Sequence, residues 1–349
     1  MRLGVFLPNW VGDVVMATPA LRALRTLAGD DALIGVMRPY VAEVLAGSAW
    51  FDETIVYAKG QGDVTAALRT ARLERVVLLT NSLRTGWMAY RSGARERIGM
   101  AGNLRSPLLT TRVQPPRRGW RRRAEFLPTV AGYLHVAQAA GAPPVAPTLE
   151  LATTADDERR ADAVWRRLGW DAGDRVAAFN TGGAFGAAKD WPSDSFAALA
   201  RRLAAERGLR VLVNCGPKER DAARAIVAAA GDRRVASLAD EADLPIGLTK
   251  AAIRRAALLV TTDSGPRFFG VAFGVPTVAL FGPTSVTMTQ TYAAHETSVS
   301  LGLDCQPCMA RTCPLVHHRC LRDLGVPRVM AAVDAALSAA GAGRQRPAA

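Results

Sequence analysis

Leu258-Leu259-Val260-Thr261-Thr262-Asp263-Ser264-Gly265-Pro266-Arg267 is the stretch from which the fold can be read. The apolar and β-branched run Leu258 to Thr262 spells a short buried strand, and Asp263-Ser264-Gly265-Pro266 stops it. Asp263 or Ser264 suits a helix cap, and Pro266 suits the first helical turn, where its missing N–H costs nothing. Phe268 to Phe273 then reads as the helix and Pro276 to Phe281 as a second strand. Strand, turn, helix, strand is the unit of a doubly wound parallel sheet, whose ligands bind at the carboxyl ends of the strands. Amides at such a helix start favour an anion. Asp263, a carboxylate in that position, either caps the helix or turns outward to the hydroxyls of a sugar.

The same alternation runs toward both ends of the chain. A first strand ends at Leu7. Pro8-Asn9-Trp10-Val11-Gly12-Asp13 follows, and then a helical pattern of Val14, Val15, Ala17, Leu21, Leu24 and Leu27. Asp13, at the mouth of that loop, is either a helix cap or a carboxylate placed to accept a proton. Ala32–Met37, Glu53–Tyr57 and Arg75–Thr80 read as strands, with a helix over Gly62–Leu73 and another from about Glu125 to Ala140. Gly141 to Pro147, rich in proline, is the linker candidate. Beyond it the pattern restarts: a helix over Asp156–Leu168, strand Val176–Asn180, a helix over Ser193–Arg207 and strand Leu209–Cys215. Thr181 to Pro192 forms a glycine-rich loop with one lysine, Lys189. Its spacing is not that of a P-loop, so ATP hydrolysis is not implied. A lysine after glycines suits a diphosphate as a point charge. Glu219, past the next strand, is either a ribose contact or an exposed helix-start glutamate.

The 349 residues, 49% of them apolar, suffice for two domains with a core each, and the net charge is +13. That charge is uneven: from Arg84 to Ala124 the chain carries eleven arginines and one acid, Glu96, a net +10. Trp87, Tyr90 and Trp120 are interleaved, and the segment reads largely as loops. Such a patch suits a polyanion or an anionic membrane surface, or is simply a solvated face. No apolar run is long enough for a membrane span, and the N-terminus lacks the form of a signal peptide, so a cytoplasmic protein is expected.

Four of the five cysteines lie at Cys305, Cys308, Cys313 and Cys320, with His317 and His318 in the same stretch. Soft ligands at short spacing raise zinc, but the spacing fits no standard finger. A reduced, packed or redox-labile loop is the preferred reading, and no metal is assigned.

Several of these stretches together resemble glycosyltransferase family 9, the heptosyltransferases, and within it the heptosyltransferase II branch. They are Asn9-Trp10-Val11-Gly12-Asp13; Gly183 to Lys189 with Trp191-Pro192; Thr262 to Pro266; Phe281-Gly282-Pro283-Thr284; and the cysteine stretch with Arg311, Pro314 and His317-His318. The resemblance covers nearly the whole chain. It implies an α/β fold of the GT-B type, two Rossmann-like doubly wound domains facing across a cleft. Residues 1–141 would form the acceptor domain, 142–153 the linker and 154–325 the nucleotide-sugar domain. Residues 326–349 would form a helix returning to the first domain, then a tail. Activity would be inverting transfer of heptose from ADP-heptose to the inner core of lipopolysaccharide, without cofactor. By position, Asp13 is implied as catalytic base and Lys189 as diphosphate ligand with Thr181 beside it. Glu219 is implied as the ribose contact, Asp263 as the carboxylate meeting the donor heptose, and Ser264 and Gly265 at the phosphates. The histidine that the family commonly carries after this turn is replaced by Arg267-Phe268-Phe269, and Arg267 is expected to add charge near the leaving diphosphate. The basic segment, Arg117, Arg118, Arg121, Arg122 and Arg123 above all, would meet a lipid A–core acceptor on the anionic inner face of the inner membrane. Rival readings are transfer of a different sugar, a sugar-nucleotide epimerase and a basic nucleic-acid-binding protein, though no nucleic-acid motif appears. A dehydrogenase is disfavoured because Gly-x-Gly-x-x-Gly is absent after the first strand.

Overall fold

A computed structural model describes residues 1–58, 64–114, 128–183 and 185–344. The chain divides into two compact units, Met1–Ala152 with Thr287–Tyr292, and Thr153–Val286 with Ala293–Ala349. Each unit is built on a six-stranded sheet in which every pairing is parallel.

In the first unit the strands are β1 (Arg2–Phe6), β2 (Ala32–Met37), β3 (Glu53–Val56), β4 (Arg75–Leu78), β5 (Glu96–Met100) and β6 (Thr111–Val113). Their order is β3-β2-β1-β4-β5-β6. The second unit repeats it with β7 (Val176–Asn180), β8 (Arg210–Asn214), β9 (Val235–Ser237), β10 (Leu258–Thr262), β11 (Thr277–Leu280) and β12 (Glu296–Val299), in the order β12-β11-β10-β7-β8-β9. The winding reverses at β1/β4 in one sheet and at β7/β10 in the other. A crevice at the carboxyl ends of those strand pairs is where such sheets hold ligands.

Parallel strands covered on both faces read as unbroken apolar runs. β7 and β10 are buried at every residue. Phe6, Ile34, Val36, Val76 and Leu78 pack with Met88 into the first core. Leu203, Leu212, Val260 and Val278 belong to the second, as do Val329, Met330 and Val333 of the last helix, Val326–Arg344. Three tryptophans of the second unit serve its packing: Trp165 meets Trp170 edge-on at 5.6 Å and Trp191 meets Phe196 at 4.7 Å. The proline-rich segment is pinned within its own unit, since Arg22 donates to the carbonyls of Ala146 and Thr148 and pairs with Glu150.

The basic segment differs from its expectation as loops. It contains the helix Leu83–Arg91 and the strands β5 and β6. Its arginines are partly structural: Arg105 is fully buried and donates to the carbonyls of Thr80 and Met100 and to Asn81 Oδ1. Arg97 donates to Leu108 O and Ala94 O, and Arg112 to Ser106 O. A guanidinium has five donors, and here they tie strand ends to loop carbonyls. Arg117, Arg118, Arg121, Arg122 and Arg123 lie outside the described residues. Among the described residues no helix is long and apolar enough to cross a membrane.

Candidate functional site

In the first unit, Leu7 to Trp10 leaves the carboxyl end of β1 and enters the helix Val11–Met16. The helix is capped at Trp10 without a side-chain bond, so Asp13 is not the cap; it sits in the first turn. Tyr133 Oη, from the helix Thr129–Ala139, donates to Asp13 Oδ1 at 3.2 Å. Burial pushes the Tyr133 phenol well above its usual range, and the neighbouring Asp13 charge and hydrogen bond push it further. The phenol therefore stays protonated and fixes one carboxylate oxygen. Tyr40 Oη holds the same loop by donating to Asn9 O at 2.5 Å. Trp10 stands half exposed beside it.

The second unit gathers charge at the carboxyl ends of β7 and β10. Ser264 caps the helix Gly265–Ala272 through its backbone alone. Its hydroxyl is held by Asn180 Nδ2 at 3.0 Å and lies 3.3 Å from Thr261 Oγ1. Asp263 neither caps nor faces outward. It is 3% exposed, with Oδ1 2.8 Å from Arg267 Nη1 and Oδ2 3.1 Å from Lys189 Nζ. Lys189 also donates to Asp263 O at 2.5 Å and lies 4.4 Å over the Phe185 ring. Burial alone would raise the Asp263 carboxyl; the Arg267 guanidinium and the Lys189 ammonium outweigh it and hold the group below the usual carboxylate range.

Arg267 corrects a second expectation. It is 1% exposed and bonded to both Asp263 and Glu296, so it is committed to the interior rather than to a departing diphosphate. A guanidinium at i+4 from a carboxylate on a helix start reaches it readily, and with Lys189 on the other oxygen of Asp263 and Glu296 on the other side of Arg267 the two belong to one buried charge network.

Thr181 and the glycine-rich loop follow β7. Gly182 lies against Glu219: a Cβ there would stand 2.3 Å from Glu219 Oε1. Glu219 Oε2 accepts from the Gly216 amide at 2.8 Å, so this carboxylate is anchored beside the loop rather than left as a free helix-start charge. Gly186 has φ +138°, and a Cβ there would meet Arg311 O at 2.7 Å, so only glycine suits the position. Thr181, Lys189, Glu219, Asp263, Ser264 and Gly265 thus belong to loops and helix starts on one carboxyl edge of one sheet. Sequence reading missed Tyr133 and Asn214. Asn214 pairs in register with Asn180, is 1% exposed, and its amide has no partner in the structure. Unsatisfied buried polar groups are rare enough to mark strain or function. Four of the five cysteines line a single cavity with His317 on the same unit, and all five are free thiols.

Residues 63–318 match the family description glycosyltransferase family 9 (heptosyltransferase). The chain belongs to this family. Lipooligosaccharide heptosyltransferase 2 of Campylobacter jejuni is 31% identical over 161 residues, and that match spans 45% of this chain and only half (50%) of the relative's length. Lipopolysaccharide heptosyltransferase 2 of Escherichia coli K12 is 26% identical over 352 residues, spanning 97% of this chain and 99% of the relative. The solved structure of the E. coli ADP-heptose lipopolysaccharide heptosyltransferase II superposes with a TM-score of 0.79 at 23% identity, covering 98% of this chain and all (100%) of that one. The α/β architecture of two doubly wound sheets is therefore that of the family 9 glycosyltransferases.

Proposed function

We propose that this family 9 glycosyltransferase moves a heptose from ADP-heptose onto the inner core of lipopolysaccharide, inverting the anomeric centre. The observation that carries the reading is the end-to-end match to the E. coli lipopolysaccharide heptosyltransferase 2. The charged edge of the second sheet supplies groups suited to the donor.

Asp13 takes the proton of an acceptor hydroxyl as that oxygen attacks the anomeric carbon. The bond from that carbon to the diphosphate oxygen breaks in the same displacement, and a single displacement inverts. Tyr133 keeps the Asp13 carboxylate in one orientation. Charge grows on the departing nucleoside diphosphate. Lys189 and the amides at the start of Gly265–Ala272 receive it, the helix dipole adding to the effect. Thr181, Ser264 and Gly265 contribute phosphate contacts, and Glu219 accepts from ribose hydroxyls. Asp263 acts on the donor through Lys189, whose ammonium it holds at 3.1 Å. The acceptor is a phosphorylated lipid A–core. The arginine-rich segment draws the enzyme to the anionic inner face of the inner membrane as a peripheral protein.

The test is a panel of nucleotide sugars offered with a heptose-deficient core acceptor, read by mass. Addition of one heptose from ADP-heptose supports the reading. Transfer of another sugar, or conversion of a nucleotide sugar without acceptor, refutes it.

A further inference from the structure

Residues 304–318, leading into the short helix Arg319–Arg322, contain no helix or strand. Within them Met309, Val316 and His318 adopt left-handed backbone with φ of 55°, 62° and 50°. Non-glycine residues held there cost about 1–3 kcal/mol each and persist only where the surroundings fix them. Apolar packing does not supply that: Leu315 is 57% and Val316 77% exposed. No disulfide supplies it either, since Cys305, Cys308, Cys313 and Cys320 are free. Yet all four line one cavity of about 20 Å³, which also touches Ala188 and Pro283.

The segment is seated against the lysine loop. Ala188 N donates to Arg311 O at 3.1 Å, and the Arg311 guanidinium lies 5.7 Å over the Phe185 ring on which Lys189 also rests. Met309 N donates to Pro283 O at 2.8 Å and Gln306 Nε2 to Gly282 O at 2.6 Å.

We propose that Cys305, Cys308, Cys313 and Cys320 bind one divalent soft metal ion, zinc or ferrous iron, and that the ion fixes Arg311 and hence the Lys189 loop. Four thiolates at short spacing are the donor set of tetrahedral sites for those ions. His317 is left out of the set because its Nδ1 accepts the Arg319 amide at 3.0 Å. Among the described residues no three such side chains already surround a common point. Binding therefore rotates the sulfurs inward, to about 2.3 Å from the metal, with each thiol giving up its proton. This replaces the packed-loop reading of the sequence, because strained backbone, exposed apolar residues and four thiols lining one cavity call for a cross-link. The positioning half rests on Lys189 as the diphosphate ligand; the metal half does not.

Elemental analysis of the full chain, purified anaerobically without chelator, should find about one zinc or iron per chain. Chelator-stripped protein should take up Zn2+ alone or Fe2+ alone, and Co2+ should give the visible bands of a tetrahedral thiolate site. C308S and C313S should lose the metal and weaken ADP binding roughly tenfold, in the range seen for groups that support a site. Less than about 0.2 equivalents in the purified protein, with no uptake of Zn2+ or Fe2+ and no Co2+ bands, overturns the site. Full metal occupancy with ADP affinity unchanged on stripping overturns the positioning role alone. Metal occupancy is read without any sugar donor, so it stands or falls apart from the heptosyltransferase reading.

Discussion

Asp263→Asn separates a residue that acts through Lys189 from one that touches the donor. In the parent, one buried carboxylate answers two cations, Arg267 at 2.8 Å and Lys189 at 3.1 Å. The amide removes the charge at nearly constant shape. Breaking a buried pair by neutralising one partner costs about 3–5 kcal/mol, because the other charge stays behind. Arg267 retains Glu296, and Lys189 retains the Asp263 carbonyl, so the lower end, about 3 kcal/mol, applies here. For a unit of this size 1 kcal/mol moves Tm by about 2–4 °C, so calorimetry should show a fall of roughly 6–12 °C. The acid limb gives an independent check. The folded carboxyl is held below its unfolded range, so its contribution to stability is present at neutral pH and is lost as pH falls below the ordinary carboxylate range. Asp263→Asn should remove that acid sensitivity. ADP titration calorimetry should show weakening of about tenfold, since a loosened ammonium forfeits part of a charged hydrogen bond. A variant that melts within about 2 °C of the parent yet has lost ADP binding altogether would refute the reasoning, because the carboxylate would then be a direct ligand and not a structural counter-charge.

Asp13→Asn should keep ADP affinity while turnover falls by about 10²–10⁴, the usual worth of a positioned base, measured in single-turnover transfer. Tyr133→Phe should lower turnover by a smaller factor without lowering stability appreciably, since the lost hydrogen bond reaches a half-buried carboxylate at 3.2 Å. Lys189→Ala should weaken ADP by roughly 10–100-fold in calorimetry, the equivalent of a charge-assisted hydrogen bond. Arg105→Met strips the Thr80 and Met100 carbonyls and Asn81 Oδ1 of a donor and should cost the first unit about 3 kcal/mol in urea melts, with ADP affinity unchanged. Replacing Arg117, Arg118, Arg121, Arg122 and Arg123 by Gln should reduce sedimentation with anionic vesicles, and added salt should do the same to the parent.

The elements that sequence reading located well are those whose periodicity has one meaning. β2, β7 and β10 are short runs of mostly apolar and β-branched residues bounded by turn residues, the form a strand covered on both faces takes. The basic segment holds a helix and two strands where loops are expected, and its arginines have two uses that look alike in a string of letters. Counted as charge, Arg97, Arg105 and Arg112 belong to a solvated patch; in the fold they are donors to particular carbonyls, and Arg105 is wholly buried. The turn after β10 shows the same ambiguity at higher stakes. Asp263, Ser264 and Pro266 spell a helix start whether the carboxylate caps it, faces a sugar or pairs inward. The one local clue is Arg267, four residues on, and its significance depends on Lys189 and Glu296, which come from elements 74 residues before and 29 residues after their partners. Tyr133 had no clue at all, since 120 residues separate it from Asp13. What was legible is therefore the scaffold and the identity of the charged groups. What was not legible is which charge answers which, and that decides whether Asp263 is a donor ligand or the support of one.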